Sequence, residues 1–295
     1  MKIRIKHRSH DMKHRKLFPT VTALCLCTLI TAPSHAQSAK AETGKHIRIN
    51  DGRRTRSEGW RLVWADEFDG TSVDTASWSR CPAGNADWMR HMSPLDSLCR
   101  VENGTLRLYG ICRPDGADDR RPYLTGGVQS KGKRSIRLGR VDVRARFNCA
   151  QGFWPAIWLM PDIDTPWPSG GEIDIMEHLN HDTIAYQTVH SSHTLEQREP
   201  RTGHGSTAPI DRDGFNVYSA VVTRNGVEFY INGRHTYTYP KLPFVEEDQY
   251  PFAGHPFYAI LSAQLGGSWV GGIDPSQLPV KMEIDYVRFY EKRGR

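Results

Sequence analysis

From Gly139 to Phe147 the chain sets Val141, Val143, Ala145 and Phe147 on one face and Asp142, Arg144 and Arg146 on the other. A period of two fits a β-strand and excludes a helix. Lys281 to Tyr290 repeats the pattern, with Met282, Ile284 and Tyr286 opposite Glu283 and Asp285. Asn225-Gly226 and Asn232-Gly233 bracket Val227–Ile231 as two-residue hairpin turns, because both residue types tolerate positive φ. Further strands are expected at 61–64, 105–109, 123–130, 153–160, 171–178, 184–191, 214–223 and 255–264. Gly and Pro (26 and 18 residues) punctuate them and no 3.6-residue period competes, so residues 60–295 read as one all-β sandwich or barrel.

The charge is unevenly placed. Residues 1–36 hold seven Lys or Arg against Asp11, which is the whole formal excess of +6. The remainder balances 32 basic with 32 acidic residues, and from Trp60 onward 26 stand against 29, so no nucleic-acid partner is expected. The basic start, the apolar run from Leu17 to Ala32 and the small-x-small site Ser34-His35-Ala36 predict a signal peptide over 1–36, with Met1 or Met12 as its start. The run is short of the roughly 20 residues a membrane span needs and is broken by Pro19. A secreted, periplasmic or cell-surface protein follows, with 37–59 as a polar, flexible arm. Cys81, Cys99, Cys112 and Cys149 remain after the leader; two disulfides and free buried thiols are both open. Their spacing holds no C-x-x-C pair, which disfavours zinc. His178 and His181 have a helical metal-ligand spacing but lie on or just after a strand, so no metal is expected there.

The chemistry is concentrated in Glu172-Ile173-Asp174-Ile175-Met176-Glu177. In a regular strand Glu172 and Asp174 share a face, and the third acid arrives one residue late. A β-bulge at Ile175-Met176 would return Glu177 to that face, each acid roughly 6–7 Å from the next. Three like charges in a row oppose stability. They suit cleavage of a glycosidic bond, where one carboxylate is the nucleophile and a second carboxyl, its pKa split from its neighbour's, is the acid/base. Sugars also present flat C–H faces to aromatic rings, which makes Trp154, Trp158, Trp167 and Trp269 candidate subsite walls.

The acidic hexad resembles the signature of glycoside hydrolase family 16 in its longer, bulged form. The resemblance runs from about Trp60 to Tyr290, through Trp64–Asp69, Gly127–Lys131, Trp154–Trp158 and Ile284–Tyr290. It implies a β-jelly-roll sandwich of two curved antiparallel sheets, with an open concave cleft suited to endo cleavage. It further implies Glu172 as nucleophile, Glu177 as acid/base, Asp174 as helper and His190 as a cleft histidine. Many members carry one structural calcium ion on the convex face, and Glu67, Gly104 in the Asn103-Gly104 turn, and Asp285 match its positions. No other cofactor is implied, because carboxyl groups suffice.

One segment departs from the family's glucanases. Where they carry an Asn-x-Glu-x-x-Tyr-Thr stretch, Asn85–Ser93 offers Asp87, Trp88, Arg90 and His91, which makes Trp88 and Arg90 candidate substrate contacts. The reading is an endo-acting, retaining β-glycosidase, monomeric, with an oligosaccharide or polysaccharide substrate. It leans toward galactose-containing chains such as the N-acetyllactosamine stretches of mucin-type O-glycans. A β-1,3(4)-glucanase is the alternative; a transglycosylase or a non-catalytic carbohydrate-binding jelly roll are further ones, and the intact acids argue against the last.

Overall fold

In the computed structural model, which describes residues 59–196, 203–245 and 247–294, the alternating segments pair into seventeen strands. The leader expected at 1–36, and all of the 37–59 arm but Gly59, lie outside the described residues. In chain order the strands are β1 (Trp60–Asp66), β2 (Ser79–Arg80), β3 (Cys99–Glu102), β4 (Thr105–Cys112), β5 (Tyr123–Thr125) and β6 (Gly127–Gln129). Then come β7 (Ser135–Ile136), β8 (Gly139–Phe147), β9 (Phe153–Pro161), β10 (Glu172–Glu177), β11 (Ile184–His190) and β12 (Gly205–Pro209). The last are β13 (Asn216–Val222), β14 (Gly226–Ile231), β15 (Arg234–Pro240), β16 (Phe257–Leu265) and β17 (Val280–Lys292).

Nine strands form one sheet in the order β15-β14-β13-β8-β17-β4-β3, with β1 beside β17 and β5 beside β4. Eight form the other, β12-β11-β10-β9-β16-β6-β2, with β7 beside β16. The strand pairs are antiparallel, and the fold is a β-jelly roll. The expected faces meet in one core, except that a bulge at Asp285 places Tyr286 with Arg144 and Arg288 on the outer face and brings Val287 and Phe289 inward instead. Val141, Val143, Ala145, Met282 and Ile284 of the first sheet pack with Ile157, Leu159, Ile173, Val189 and Leu261 of the second. A smaller apolar cluster, Cys81, Met92, Ala156, Trp158, Tyr258 and Ile260, lies on the other face of β9 and β16. Residues 154, 156 and 158 therefore look away from the main core, as the pleat requires.

The differences from expectation have local causes. The 123–130 segment is two strands, one per sheet, divided at Gly126; a Cβ there would lie 2.1 Å from the Leu98 carbonyl oxygen, so glycine alone lets the chain cross. Asn232-Gly233 turns directly between Ile231 and Arg234 with φ of 52° and 78°, and Asn103-Gly104 does the same between β3 and β4. Asn225-Gly226 does not: Val222 pairs with Val227, and Thr223 Oγ1 accepts from the N–H groups of both Asn225 and Gly226, which makes a longer loop. The strands the pattern misses, β2, β3, β7, β12 and β15, are short or lie at sheet edges, where partial cover leaves little apolar alternation to read. Cys81, Cys99, Cys112 and Cys149 are free thiols, and burial pushes the Cys99 thiol up to about 11. Among the described residues no helix is long and apolar enough to cross a membrane; the one α-helix, α1 (Ser192–Leu195), is four residues long.

The outer face of the nine-stranded sheet is a ladder of ion pairs. Arg140 meets Asp142 at 2.7 Å and Arg146 meets Glu283 at 2.6 Å, with Lys281 also on Glu283. Glu283 is buried. Burial would raise its carboxyl, but the hydrogen bonds from Lys281 and Arg146 outweigh it and hold it below the usual range. A lowered folded-state pKa contributes stability at neutral pH that is lost as pH falls through that value. Because its partners stay partly hydrated, Glu283→Gln should destabilise by about 1–3 kcal/mol at neutral pH. Urea unfolding should show that difference shrinking in acid, below the ordinary glutamate range.

Candidate active site

The acidic strand β10 runs between β9 and β11, and its register slips where the sequence predicts. Asp174 pairs with Trp158 and Met176 with Ile157, so Ile175 is one residue too many against β9. Against β11, Glu172, Asp174 and Glu177 face His190, Thr188 and Tyr186. Ile173, Ile175 and Met176 all enter the main core. Two consecutive apolar residues thus turn inward, and Glu177 rejoins Glu172 and Asp174 on the opposite face.

That face holds the carboxyls in close quarters. The acidic oxygens of Glu172 and Asp174 and a ring nitrogen of His190 lie within 4.8 Å of one another, with His190 Nε2 3.2 Å from Asp174 Oδ2. Burial, then the neighbouring Asp174 charge, pushes the Glu172 carboxyl up to about 8. Burial likewise raises Asp174 to about 7, and burial with the Asp174 charge raises Glu177. The three ionise one after another rather than together. Two carboxyls and one imidazole are a short ligand set for calcium, which takes 6–8 oxygens. Proton sharing accounts for them better than a bound cation does.

Indole N–H groups grip both ends of the row. At one end Trp167 Nε1 donates to Glu172 Oε2 at 2.5 Å; at the other Trp154 Nε1 donates to Glu177 Oε1 at 2.9 Å. Trp167 reaches its place from the loop before β10, where Gly171 has φ of +81° and a Cβ would run into Phe252. Its ring is half exposed and lies 6.2 Å from that of His190. Beyond Glu177, Trp269 is also half exposed and stands edge-on to Trp154 and Tyr186 at 5.7 and 5.2 Å.

Of the expected subsite residues, Trp154, Trp167, Trp269 and His190 therefore surround the acids. Trp158 does not offer a free ring face: it is 5% exposed, donates to Ser262 Oγ at 3.2 Å, and meets Trp88 edge-on at 4.8 Å. It is floor rather than wall. Arg90 pairs with Asp87, and Asp87 in turn accepts from Ser268 N–H at 2.6 Å and Ser268 Oγ at 2.8 Å. The 85–93 segment thus ties down the Gly266–Gly272 loop that presents Trp269, and Asn180 Nδ2 holds the same loop through the Val270 carbonyl at 3.1 Å. His178 and His181 are engaged apart, with the Asp182 carbonyl and Gln277. Tyr186 was open to prediction, since it shares the β11 face of His190 at a spacing of four; the role of Asp87 was not, because its partner lies 181 residues away.

The calcium positions look different from expectation. Glu67 is held by Arg288 through two hydrogen bonds at 2.7 and 2.9 Å, and Asp285 by Arg144 at 2.7 Å. Gly104 completes the β3–β4 turn. Both carboxylates face guanidinium groups, so these residues do not fit a cation cradle: an ion there would have to displace two arginines.

Residues 100–288 match the family described as glycosyl hydrolases family 16. A keratan-sulfate endo-1,4-β-galactosidase from Sphingobacterium multivorum is 35% identical over 260 residues, covering 86% of this chain and 59% of that protein. The laminarinase structure from Rhodothermus marinus superposes with a TM-score of 0.71 at 30% identity, covering 80% of this chain and 98% of that one. A further structure, reported with endo-acting O-glycanases that human gut bacteria express to initiate mucin breakdown, gives 0.69 at 32% identity over 78% of this chain and 98% of that one.

Two outcomes test the geometry. An N–H donor favours the charged form of Glu172, so Trp167→Phe should raise the Glu172 titration midpoint, read by carbon-13 NMR of labelled glutamate. Asp87→Ala should free the Trp269 loop, seen as faster amide exchange across 266–272 with β10 unchanged.

Proposed function

The chain belongs to glycosyl hydrolases family 16, and from that membership we propose an endo-acting, retaining β-glycoside hydrolase whose chemistry resides in β10. The observation that carries the reading is the bulged row Glu172, Asp174 and Glu177, the last two buried and Glu172 partly so, each raised in pKa. Glu172 attacks the anomeric carbon and forms the glycosyl–enzyme bond as the glycosidic C–O bond breaks. Glu177 gives its proton to the departing oxygen. In the second step Glu177 takes a proton from water, the oxygen attacks the same carbon, and Glu172 leaves as carboxylate. The Trp167 N–H steadies the charge on Glu172. Asp174, between the two, takes up and returns a proton as the charge moves.

For substrate, the reading is a galactose-containing chain of the N-acetyllactosamine type. It is supported by the likeness to a keratan-sulfate endo-β-galactosidase and by an 85–93 segment unlike that of the glucanases. The second reading, a β-1,3(4)-glucanase, is favoured by the likeness to a laminarinase at similar identity. The two sugars differ at one axial hydroxyl, worth about 1–3 kcal/mol through a few polar contacts.

Digestion of laminarin, mixed-linkage glucan, keratan sulfate, poly-N-acetyllactosamine and mucin, with products resolved by mass spectrometry, separates these readings. Internal cleavage leaving reducing-end galactose is expected; glucose oligomers alone would make the enzyme a glucanase. Glu177→Gln should lower kcat by about 10²–10⁴-fold. Glu172→Gln should abolish turnover, and full activity in that variant would sink the assignment. Activity should be bell-shaped in pH. Acid protonates Glu172 and removes the nucleophile, whereas alkali deprotonates Glu177 and removes the proton donor, so Glu177→Gln should lose the alkaline limb.

A further inference from the structure

β11 alternates cleanly, with Ala185, Gln187 and Val189 facing the core and Tyr186, Thr188 and His190 facing the cleft. A glutamine thus stands at a core position, wholly buried. Its place in the register accounts for it. Tyr186 and Thr188 face Glu177 and Asp174, so Gln187 is the β11 residue opposite the bulge of β10. Gln187 Nε2 donates to the Ile175 carbonyl at 2.9 Å. Ile175 is the extra residue against β9, and a buried carbonyl taken out of the ladder needs another donor.

The other end of the amide is also held. Thr236 Oγ1 donates to Gln187 Oε1 at 2.5 Å. Thr236 belongs to β15 in the opposite sheet, where Tyr230 pairs with His235 and Phe229 with Tyr237. It too is an extra residue in a slipped register. One glutamine side chain therefore connects a bulge in one sheet with a bulge in the other.

We infer that Gln187 is a positioning residue for Glu177: by engaging the Ile175 carbonyl it holds the bulged register, and Thr236 holds Gln187 in the orientation that does so. The inference rests on the catalytic reading above. An apolar side chain at 187 would pack as well as its neighbours Ala185 and Val189 but would leave the carbonyl unpartnered. The backbone could then relax toward even alternation, which would turn Met176 outward and carry Glu177 away from Asp174 and Trp154.

The test compares wild type, Gln187→Leu, Gln187→Glu, Thr236→Val and Glu172→Gln on the panel glycan that the wild type cleaves fastest, with folded fraction measured by circular dichroism. Gln187→Leu should lower kcat per folded molecule by about ten- to a hundredfold, the cost of misplacing a reacting group by about 1 Å, with KM little changed. Its alkaline limb should move to higher pH, because a Glu177 turned inward and off the Trp154 N–H is harder to ionise. Gln187→Glu should approach wild type in acid, where a protonated carboxyl still donates to Ile175, and fall away as it ionises. Thr236→Val should shift the limb the same way by less. Unchanged kcat per folded molecule and unchanged limbs in the Gln187 and Thr236 variants would overturn the inference, leaving the glutamine a packing residue. If Gln187→Leu does not fold, Gln187→Glu and Thr236→Val decide. Should Glu172→Gln cleave like wild type, the catalytic reading fails and the inference falls with it; a dead Glu172→Gln beside unperturbed Gln187 variants removes the inference alone.

Discussion

Strand β10 has to satisfy two opposed demands. One face seals the core with Ile173, Ile175 and Met176, and the other carries three carboxyl groups that repel one another when charged. A regular pleat would send the last acid inward with the aliphatic residues. The slip at Ile175 settles both demands together, since the surplus residue is apolar and the core accepts it. The neighbours are arranged around this slip: Trp158 and Ile157 set it on one side, and Thr188 and Tyr186 on the other.

The carboxyls are then differentiated by what they touch. All three are raised by burial, yet each has its own partner: an indole N–H for Glu172, His190 beside Asp174, a second indole N–H for Glu177. Hydrogen bonds to the charged form and like-charge repulsion act in opposite directions. A row of chemically similar groups can thus divide between holding charge and holding a proton. The same tryptophans that donate to the acids also pack against other rings at either end of the row, Trp154 on Trp269 and Trp167 on His190.

Support for this row comes from far along the chain. Asp87 holds the loop of Trp269, and Asn180 holds it from the other side. Behind the core, the nine-stranded sheet is braced by paired charges rather than by apolar cover: Arg288 on Glu67, Arg144 on Asp285, and Arg146 with Lys281 on the buried Glu283. Such pairs fix neighbouring strands in register while keeping a solvated face.

The all-β class, most of the long strands, the acidic row and its bulge were readable along the chain. Each of these is a pattern of adjacent residues: a period of two, an Asn-Gly pair, one apolar residue too many between acids. Trp154, Trp167, Trp269 and His190 were legible as well, because ring chemistry and family resemblance pointed to them. Tertiary structure alone decided the rest. That Trp158 is buried against Ser262, that Asp87 holds the Trp269 loop, that Glu67 and Asp285 face arginines, and that Gln187 meets both Ile175 and Thr236 all depend on partners brought together by sheet order. A hydrogen bond spans about 3 Å of space whatever the distance along the chain, and nothing in one strand's alternation records which strand the fold will lay beside it.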